Sequence, residues 1–364
     1  MKEDRKQRVA ILFGGRSPEH WISFKSALFA MLYIDRTRYE VSAVYLDEGG
    51  RFVSGEGYLV ALERFFERNR MRLFGEDEEL GDWMELLRSA ASGHSGDFMQ
   101  AAIDGNWDLF FPLFHGRPGE DGSVQALARR LGLPYAGCNM AGSSAGIDKI
   151  ITKQIVSAAG LAVAPWRIIE RPEWEARGVK ACDALVKALG LPLFVKPARL
   201  GSSIGVSRAT SIESLGTAIE EALVFDTRVI VESEIRGPEC AVGLIGEPGR
   251  LRSSVVAEFT SSPEDFGYDS KYGPAALPDH IPARFDPAAS RALIEFSEKV
   301  FTTLKMKGIC RVDSFLGPEG PLLNEVNTMP GLGPGSPFVR VFEEAGLSRR
   351  GLFSAILESA VTAG

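Results

Sequence analysis

The sequence predicts an α/β protein of more than one domain, with a mostly parallel N-terminal sheet and an α+β arrangement in its C-terminal part. The chain has 364 residues, which is too long for one small core and corresponds to two or three domains. Its first third alternates short apolar runs with stretches at helical spacing, as βαβ units do. Its last third carries successive apolar runs, two of them joined by a short Gly- and Pro-containing turn, which is typical of antiparallel hairpins.

The N-terminal elements follow in order along the chain. Val9–Phe13 is a continuous apolar run that ends in a glycine pair, the pattern of a buried parallel strand. Residues 22–32 have apolar side chains at helical spacing, and Val41–Leu46 predicts the next strand. The alternation resumes with a strand over residues 107–113 and a helix over residues 123–131. Because ligands bind at the carboxyl ends of parallel strands, we expect the loops there to form a site.

Between the second and third of these predicted strands, the regular alternation of strands and helices is interrupted. From Asp47 to Asn106 no regular strand is predicted, although residues 63–71 and 82–87 have the pattern of short polar helices. We therefore expect residues 47–106 to be an insertion at the edge of an N-terminal domain that spans residues 1–137.

A central unit is expected over residues 138–228. It combines helical periodicity with short apolar runs and a glycine- and serine-rich turn. The predicted helices cover residues 148–159, 184–189 and 212–225, and the predicted strands cover residues 165–169, 193–196 and 205–207.

A C-terminal unit is expected over residues 229–364. Its first strands are predicted at residues 229–232, 240–245 and 253–259. The irregular stretch that follows, residues 260–281, is longer than an ordinary connection, so we expect it to be a lid over a site.

Composition excludes several classes of function. The net charge of −7 and the pI near 5.4 argue against a nucleic-acid-binding surface. No apolar run approaches the roughly 20 residues that span a bilayer, and the charged start of the chain lacks a signal-peptide core. The four cysteines and four histidines are scattered, so we expect a reduced, cytoplasmic protein without disulfides or a zinc site.

The predicted C-terminal hairpin carries the most chemical information. Folding residues 309–315 against residues 321–326 would bring Asp313 close to Glu325 and Asn327. Such hard oxygen ligands suit Mg²⁺, which keeps several waters and takes further ligands from substrate phosphates. A solvated edge hairpin is the alternative, but Asn-Thr-Met-Pro-Gly directly after a strand makes a rigid loop. We therefore predict a metal–phosphate site.

The glycine- and serine-rich turn offers a second phosphate contact. Lys196 ends a predicted strand and Gly201-Ser202-Ser203 follows, so an ammonium and backbone N–H groups could face the same phosphates. The turn lacks the Gly-x-x-x-x-Gly-Lys-Ser/Thr pattern, so the strand–loop–helix nucleotide fold is not implied. Most such turns have no ligand, and only the acidic hairpin makes the phosphate interpretation the better one.

Other charged loops each have an ordinary interpretation beside the functional one. Glu232 could accept hydrogen bonds from ribose hydroxyls, or Glu232 and Glu234 could be solvated charges at a strand end. Glu19 could face a ligand at a helix N-terminus or be a first-turn acid stabilised by the helix dipole. The dense charge of residues 115–122 would be costly in a partly buried connection. Gly14-Gly15-Arg16 lacks the later glycine of a dinucleotide site.

Together these motifs resemble the D-alanine–D-alanine ligases of the ATP-grasp superfamily, over essentially the whole chain and in family order. The resemblance implies a three-domain ATP-grasp architecture in which ATP lies between the central and C-terminal domains. The motifs that carry it are Phe13-Gly14-Gly15-Arg16-Ser17, His115-Gly116 with Gly119-Glu120-Asp121-Gly122, Asp148-Lys149, Lys196-Pro197 with Gly201-Ser202-Ser203, Lys271-Tyr272, and Asn324 to Gly331.

The resemblance implies an ATP-dependent ligase that makes D-alanyl-D-alanine for peptidoglycan. The carboxylate of the first D-alanine attacks the γ-phosphate to give an acyl phosphate. The amine of the second then attacks that carbonyl, and phosphate leaves from a tetrahedral intermediate. The family implies ATP and two Mg²⁺ ions, which Mn²⁺ can replace, and it usually forms homodimers through the N-terminal domain.

The resemblance also assigns nucleotide, metal and oxyanion contacts by position. The nucleotide contacts are Lys149, Lys196, Ser203, Glu232, Ser233, Ile235 and Glu239. The metal ligands are Asp313, Glu325 and Asn327. Arg311 and the N–H of Gly331 face the developing oxyanion, and Ser336 contacts the carboxylate of the second substrate.

The remaining implied roles concern the first substrate and the lid. Glu19 receives the ammonium of the first D-alanine, and His115 lies near its carboxylate. Ser202 and Tyr272 link Glu19 to the lid, and Lys271 reaches the γ-phosphate when the lid closes.

Some positions depart from the family pattern. Trp21 stands where another acid is usual, Pro337 stands where a leucine is common, and residues 266–270 give a lid poorer in aromatics. Pro337 borders the acceptor pocket, so a D-serine or D-lactate ligase, or another ATP-grasp carboxylate–amine ligase, is the alternative. Tyr272 favours an amine acceptor, D-alanine first and D-serine second, because D-lactate-using relatives typically change this tyrosine.

Two interpretations come from other classes of protein. A nucleotide-binding protein that lost catalysis is disfavoured because every residue needed for phosphoryl transfer is present. An NAD-dependent dehydrogenase is disfavoured by the missing glycine of the first βα unit.

Overall fold

The structure, a computed structural model, describes residues 5–17, 19–47, 49–54, 62, 98–260 and 279–362. These residues form three four-stranded sheets flanked by helices. The strands are β1 (Gln7–Gly14), β2 (Tyr39–Leu46), β3 (Phe52–Ser54), β4 (Leu109–Pro112), β5 (Trp166–Glu170), β6 (Leu193–Pro197), β7 (Ser207–Ala209), β8 (Arg228–Ser233), β9 (Glu239–Glu247), β10 (Arg250–Phe259), β11 (Gly308–Gly317) and β12 (Gly320–Asn327). The helices are α1 (His20–Tyr33), α2 (Phe98–Ile103), α3 (Ser123–Leu131), α4 (Met140–Gly146), α5 (Lys149–Ala158), α6 (Arg171–Arg177), α7 (Lys180–Leu189), α8 (Ile212–Phe225), α9 (Pro287–Thr303), α10 (Pro337–Glu344) and α11 (Arg349–Glu358).

The N-terminal sheet has the strand order β3-β2-β1-β4. The strand β1 is parallel to both β2 and β4, while the short β3 is antiparallel to β2. The apolar run of β1 is fully buried, which explains why it lacks polar alternation. A Cβ on Gly14 would lie 2.3 Å from the carbonyl oxygen of Leu46, so only glycine allows the chain to leave the sheet here.

The central sheet is antiparallel, in the order β5-β8-β6-β7. Helix α8 packs on it and begins with a capping box between Ser211 and Ser214. The predicted boundary at residues 228/229 differs from this topology, because β8 pairs with β5 and β6 rather than with the C-terminal strands. The strand that carries Glu232 therefore belongs to the central sheet.

The C-terminal sheet is antiparallel, in the order β10-β9-β11-β12. The predicted hairpin forms between β11 and β12, and its register places Asp313 opposite Glu325 and Arg311 opposite Asn327. The register shifts between Asp313 and Ser314, so a bulge lies directly beside the charged residues.

One hydrophobic core joins the N-terminal and C-terminal sheets. Phe13 and Phe111 from the first sheet share it with Ile245 of β9 and with Phe338 and Phe342 of α10. This shared core fixes the loops at the end of β1 relative to the loop that follows β12, and both carry predicted site residues.

The predicted fold class is confirmed, and most predicted elements occur where expected. The sequence did not predict β3, nor the helices α2, α4, α6, α9, α10 and α11, and β7 lies two residues beyond its predicted start. Helix α4 reads Met-Ala-Gly-Ser-Ser-Ala-Gly, which has no apolar periodicity to detect. The predicted helices at 63–71 and 82–87 and nearly all of the predicted lid lie outside the described residues. No described helix combines the length and the apolar character that a membrane crossing requires.

Candidate active site

The hairpin β11–β12 holds a buried group of complementary charges. Arg311 donates from Nε and one terminal nitrogen to the two carboxylate oxygens of Asp313, both at 2.7 Å. Asn327 donates from Nδ2 to the same carboxylate at 2.9 Å. Burial raises the pKa of Asp313, and the negative charges of Glu325 and Glu239 raise it further. The neighbouring Arg311 opposes this shift but does not cancel it. The site therefore concentrates carboxylates that a cation would stabilise.

Two predicted phosphate-binding lysines lie beside this hairpin. Lys149 Nζ is 3.3 Å from the carboxylate of Glu325 and donates to the carbonyl of Leu200 at 2.7 Å. Lys196 Nζ donates to the side-chain oxygen of Asn324 at 3.0 Å. Asn324 in turn donates to Glu239 at 2.9 Å. Lysines from the central unit and carboxylates from the C-terminal sheet thus face each other.

Lys153 is a buried site residue that the sequence analysis missed. Its Nζ lies 2.6 Å from one oxygen of Glu232, and Lys196 lies 2.8 Å from the other. Burial alone would raise the pKa of Glu232, but the two ammonium groups lower it to about 2. The signal was available, because Lys153 follows Lys149 by one helical turn on α5. With both oxygens held by lysines, Glu232 orders these ammonium groups in the structure.

A cavity of about 490 Å³ opens between the central and C-terminal sheets. Its walls come from the end of β6, the Gly-Ser turn, the segment after β8, and β12. The predicted nucleotide residues that line it are Lys149, Lys196, Ser203, Glu232, Ser233, Ile235 and Glu239. Glu325 lines it as well, so one of the three predicted metal ligands lies at the same cavity as the predicted phosphate-binding lysines.

Glu19 connects the N-terminal domain to the Gly-Ser turn. The Ser202 hydroxyl donates to the Glu19 carboxylate across a sequence separation of 183 residues. Ser202 and Ser203 both have positive φ, 51° and 57°, a strained conformation that occurs at ligand-binding turns. Burial raises the pKa of Glu19, Ser202 opposes the rise, and Glu325 reinforces it. Of the three residues that the resemblance links, Glu19 and Ser202 are therefore in contact.

His115 lies where the N-terminal domain meets the C-terminal loop. Its Nε2 is 3.4 Å from the hydroxyl oxygen of Ser26, and that oxygen accepts the N–H of Leu332 at 3.1 Å. Burial, together with the positive charge of Arg311, lowers the pKa of His115 to about 4. The imidazole is therefore neutral near pH 7, and it lies close to the predicted oxyanion contact.

Glu120 is a second residue to which the sequence analysis gave no role. Its carboxyl oxygens accept the N–H of Gly116 at 2.8 Å and the N–H of Met329 at 3.1 Å. Burial and the neighbouring Glu19 raise its pKa to about 8. The charged loop containing it stood out in the sequence, but only the packing of Met329 against that loop reveals the contact.

Gly331 and Ser336, both predicted from the resemblance, lie next to each other. A Cβ on Gly331 would be 3.1 Å from the Ser336 hydroxyl and 4.0 Å from Ile22 of α1. Ser336 precedes α10 as its N-cap residue. Lys271 and Tyr272 lie outside the described residues, so their predicted roles remain predictions.

The donor set of the hairpin fits a magnesium ion. Within the described residues, no three His, Cys, Asp or Glu side chains are placed to hold an ion by themselves. Asp313, Glu325 and Asn327 instead offer two carboxylates and an amide on facing strands. Mg²⁺ commonly takes only one or two carboxylates from a protein and completes its shell with waters and phosphate oxygens.

The fold and the cleft together define a protein of the ATP-grasp class. The family models described as D-ala D-ala ligase N-terminus and D-ala D-ala ligase C-terminus match residues 8–138 and 155–358. The chain therefore belongs to the D-alanine–D-alanine ligase family.

Individual relatives are similar to this chain over nearly the full length of both proteins. A D-alanine–D-alanine ligase of Corynebacterium diphtheriae is 36% identical, with 99% of this chain and 96% of that protein covered. One of Deinococcus radiodurans is also 36% identical, with coverage of 98% and 99%. Among solved structures, the VanG D-Ala:D-Ser ligase of Enterococcus faecalis has a TM-score of 0.78 at 28% identity, covering 97% of this chain and 99% of that one. The D-alanine–D-alanine ligase of Coxiella burnetii has a TM-score of 0.77 at 25% identity, with coverage of 97% and 93%.

Proposed function

We propose that the protein uses ATP to ligate two D-alanine molecules into D-alanyl-D-alanine for peptidoglycan precursor synthesis. One observation carries the proposal: the Ser202 hydroxyl joins Glu19, the predicted amino-acid contact, to the turn that covers the nucleotide cavity. A substrate ammonium held by Glu19 would leave its carboxylate close to the phosphate-binding lysines.

In the first step, the first D-alanine carboxylate attacks the γ-phosphorus, and ADP leaves. Lys149 and Lys196 bind the phosphate oxygens, as their place in the cavity supports. Glu19 holds the ammonium and His115 lies near the carboxylate, which fixes the nucleophile in one orientation. The acyl phosphate that results retains the transferred phosphoryl group.

In the second step, the amine of the second D-alanine attacks the acyl carbonyl, and phosphate leaves. Arg311 and the N–H of Gly331 stabilise the oxyanion of the tetrahedral intermediate. Ser336 binds the carboxylate of the second substrate, and its position beside Gly331 supports this role.

We assign the metal site to Asp313, Glu325 and Asn327, with two Mg²⁺ ions that Mn²⁺ can replace. When bound, the ions would neutralise charge on the transferring phosphoryl group. The crowding of carboxylates that raises the pKa of Asp313 supports a cation at this place.

We propose an N-terminal domain over residues 1–137 and a central unit that begins at residue 138. Because β8 pairs with β5 and β6, the central unit includes β8, and the C-terminal unit follows that strand. We also propose a homodimer that works in the cytoplasm, where ATP is available. Size-exclusion chromatography with light scattering tests the dimer, and a monomer at micromolar concentration would contradict it.

A D-serine acceptor is the second candidate. The similarity to the VanG D-Ala:D-Ser ligase and the unusual Pro337 beside Ser336 favour considering it. The purified protein should be given ATP, Mg²⁺ and D-alanine, alone and with D-serine or D-lactate, while phosphate release and products are measured. We expect D-alanyl-D-alanine as the main product. A dominant mixed product would replace the D-alanine assignment, and no phosphate release with any acceptor would refute the ligase.

A further inference from the structure

A second cavity, of about 760 Å³, shares no lining residue with the nucleotide cavity. Helix α3 and the segment after it form one wall, and the turn between β9 and β10 with Lys307 forms another. The end of α11 and residues 359–362 close it. Its volume is within the range of small-molecule sites, and neither proposed reaction step uses it.

Positive charge predominates in this cavity although the whole chain carries a net charge of −7. Arg129, Arg250 and Arg252 line it, and within the part of the chain that the structure describes they form no ion pair. Its two acids already have partners. Glu247 lies 3.4 Å from Lys307, and Glu358 lies 2.6 Å from Arg38, which is outside the cavity. Three exposed guanidinium groups around one concave surface favour an anion, and their planar donors match phosphate oxygens.

A buried amide oxygen in the cavity wall places a second chemical constraint on the ligand. Gln125 is 1% exposed and lines the cavity. Its Nε2 donates to the carbonyl of Gly119 at 2.8 Å and to the Ser143 hydroxyl at 3.2 Å, so the side chain cannot rotate freely. Its Oε1 accepts no hydrogen bond from any described residue. A buried acceptor without a donor is unfavourable, and a ligand hydroxyl would supply one.

Tyr135 offers a complementary donor. Its hydroxyl oxygen accepts the N–H of Met140 at 3.1 Å, and no acceptor for its own proton lies among the described residues. Tyr135 also lines the cavity. The site thus combines guanidinium groups for phosphate, an acceptor for a hydroxyl, and a donor for an oxygen.

We propose that this cavity binds a small phosphorylated polyol, such as a sugar bisphosphate, independently of the nucleotide cavity. The phosphates lie against Arg129, Arg250 and Arg252, and a ligand hydroxyl donates to Gln125. The proposal does not depend on the ligase reaction, because none of these residues contacts the nucleotide cavity.

Isothermal titration calorimetry with fructose 1,6-bisphosphate tests the site in the full-length protein. A non-hydrolysable ATP analogue and excess Mg²⁺ should be present throughout, so that the nucleotide cavity is filled. We expect saturable binding of one molecule per chain that weakens with added salt, and no binding of unphosphorylated fructose.

Two charge reversals locate the binding. Arg129→Glu combined with Arg250→Glu should weaken the affinity at least tenfold. Arg130→Glu is the matched control, because Arg130 is exposed on the same helix and does not line the cavity. Binding of the ATP analogue should be equal in all three proteins, which establishes that each is folded.

Three results would overturn the proposal. They are no saturable binding to the unaltered protein, an equal loss of affinity in the Arg130→Glu control, and displacement of fructose 1,6-bisphosphate by ADP. Hydrogen exchange provides an independent measurement, and it should show added protection in residues 125–141 and 246–252 when the sugar bisphosphate is bound.

Discussion

At the scale of single residues, Glu120 joins the two loops that face the reacting atoms. It accepts the N–H groups of Gly116 and Met329, and Met329 is two residues before Gly331. Glu120→Ala leaves both partly buried N–H groups without this acceptor, at a cost of about 1 kcal/mol each, and releases the oxyanion loop. We expect kcat to fall about 100-fold, comparable to losing an oxyanion donor, with little change in KM for ATP. Steady-state kinetics measures both constants.

The neighbouring Asp121 gives the control for this change. Its carboxylate accepts the N–H of Ser123 at 2.9 Å and lies 4.0 Å from Arg117. Asp121→Ala should therefore leave kcat within about threefold, since a loop cap contributes about 1 kcal/mol to stability rather than to the reaction. Equal losses in the two variants would show that Glu120 has no particular role in placing the oxyanion loop.

His115 makes the stability of the protein depend on pH. Burial, with Arg311, lowers its pKa from 6.5 to about 4, so the folded state binds this proton more weakly than the unfolded chain. Its stabilising contribution is complete above pH 6.5 and is lost as the pH falls toward 4. Between these limits the unaltered protein should lose about 3 kcal/mol relative to His115→Asn. Urea unfolding of both proteins at pH 7, 5.5 and 4 measures this, and a difference that does not change with pH would contradict it.

At the scale of elements, helix α5 contributes two lysines one turn apart with different surroundings. Lys149 faces the hairpin, whereas Lys153 is buried against Glu232, which in turn holds Lys196. Lys153→Met leaves Glu232 with one partner and lets Lys196 shift. We expect KM for ATP to rise about tenfold with kcat nearly unchanged, and the unfolding free energy to fall by about 3 kcal/mol.

The exposed Lys187 of α7 is the matched control for this change. Lys187→Met removes the same charge from a helix surface and should leave both KM and stability unaltered. Kinetics and thermal unfolding of the two variants distinguish the outcomes. Unchanged nucleotide binding in Lys153→Met would mean that the buried lysine serves only the folding of the central unit.

The elements also show which features a sequence can predict. The hairpin β11–β12 was predictable because a turn and two apolar runs fix its register locally, and this register places Asp313 opposite Glu325. The pairing of β8 with β5 and β6 was not predictable, because nothing local distinguishes strand partners more than thirty residues away. The contacts of Lys153 with Glu232 and of Glu120 with Met329 were missed for a similar reason, since these partners are distant in sequence and only packing brings them together.

At the scale of the whole molecule, the site exists only where three units meet. Glu19 comes from the N-terminal domain and Ser202 from the turn of the central unit. The C-terminal loop joins them through the hydrogen bond from the N–H of Leu332 to Ser26. A nucleotide that orders the Gly-Ser turn would therefore also fix the Glu19 carboxylate. This connection predicts that the two substrates bind cooperatively.

Titration of D-alanine with and without a non-hydrolysable ATP analogue and Mg²⁺ measures that cooperativity. In the unaltered protein the analogue should tighten D-alanine binding between about 5-fold and 150-fold, a coupling of about 1–3 kcal/mol. Ser202→Ala removes the only donor that this serine offers to Glu19, so the coupling should vanish while affinity for the analogue changes little. Ser207→Ala is the control, because Ser207 follows the same turn but donates to Glu221 instead. If Ser202→Ala retains the full coupling, the communication between the two substrates must run through a different contact between the units.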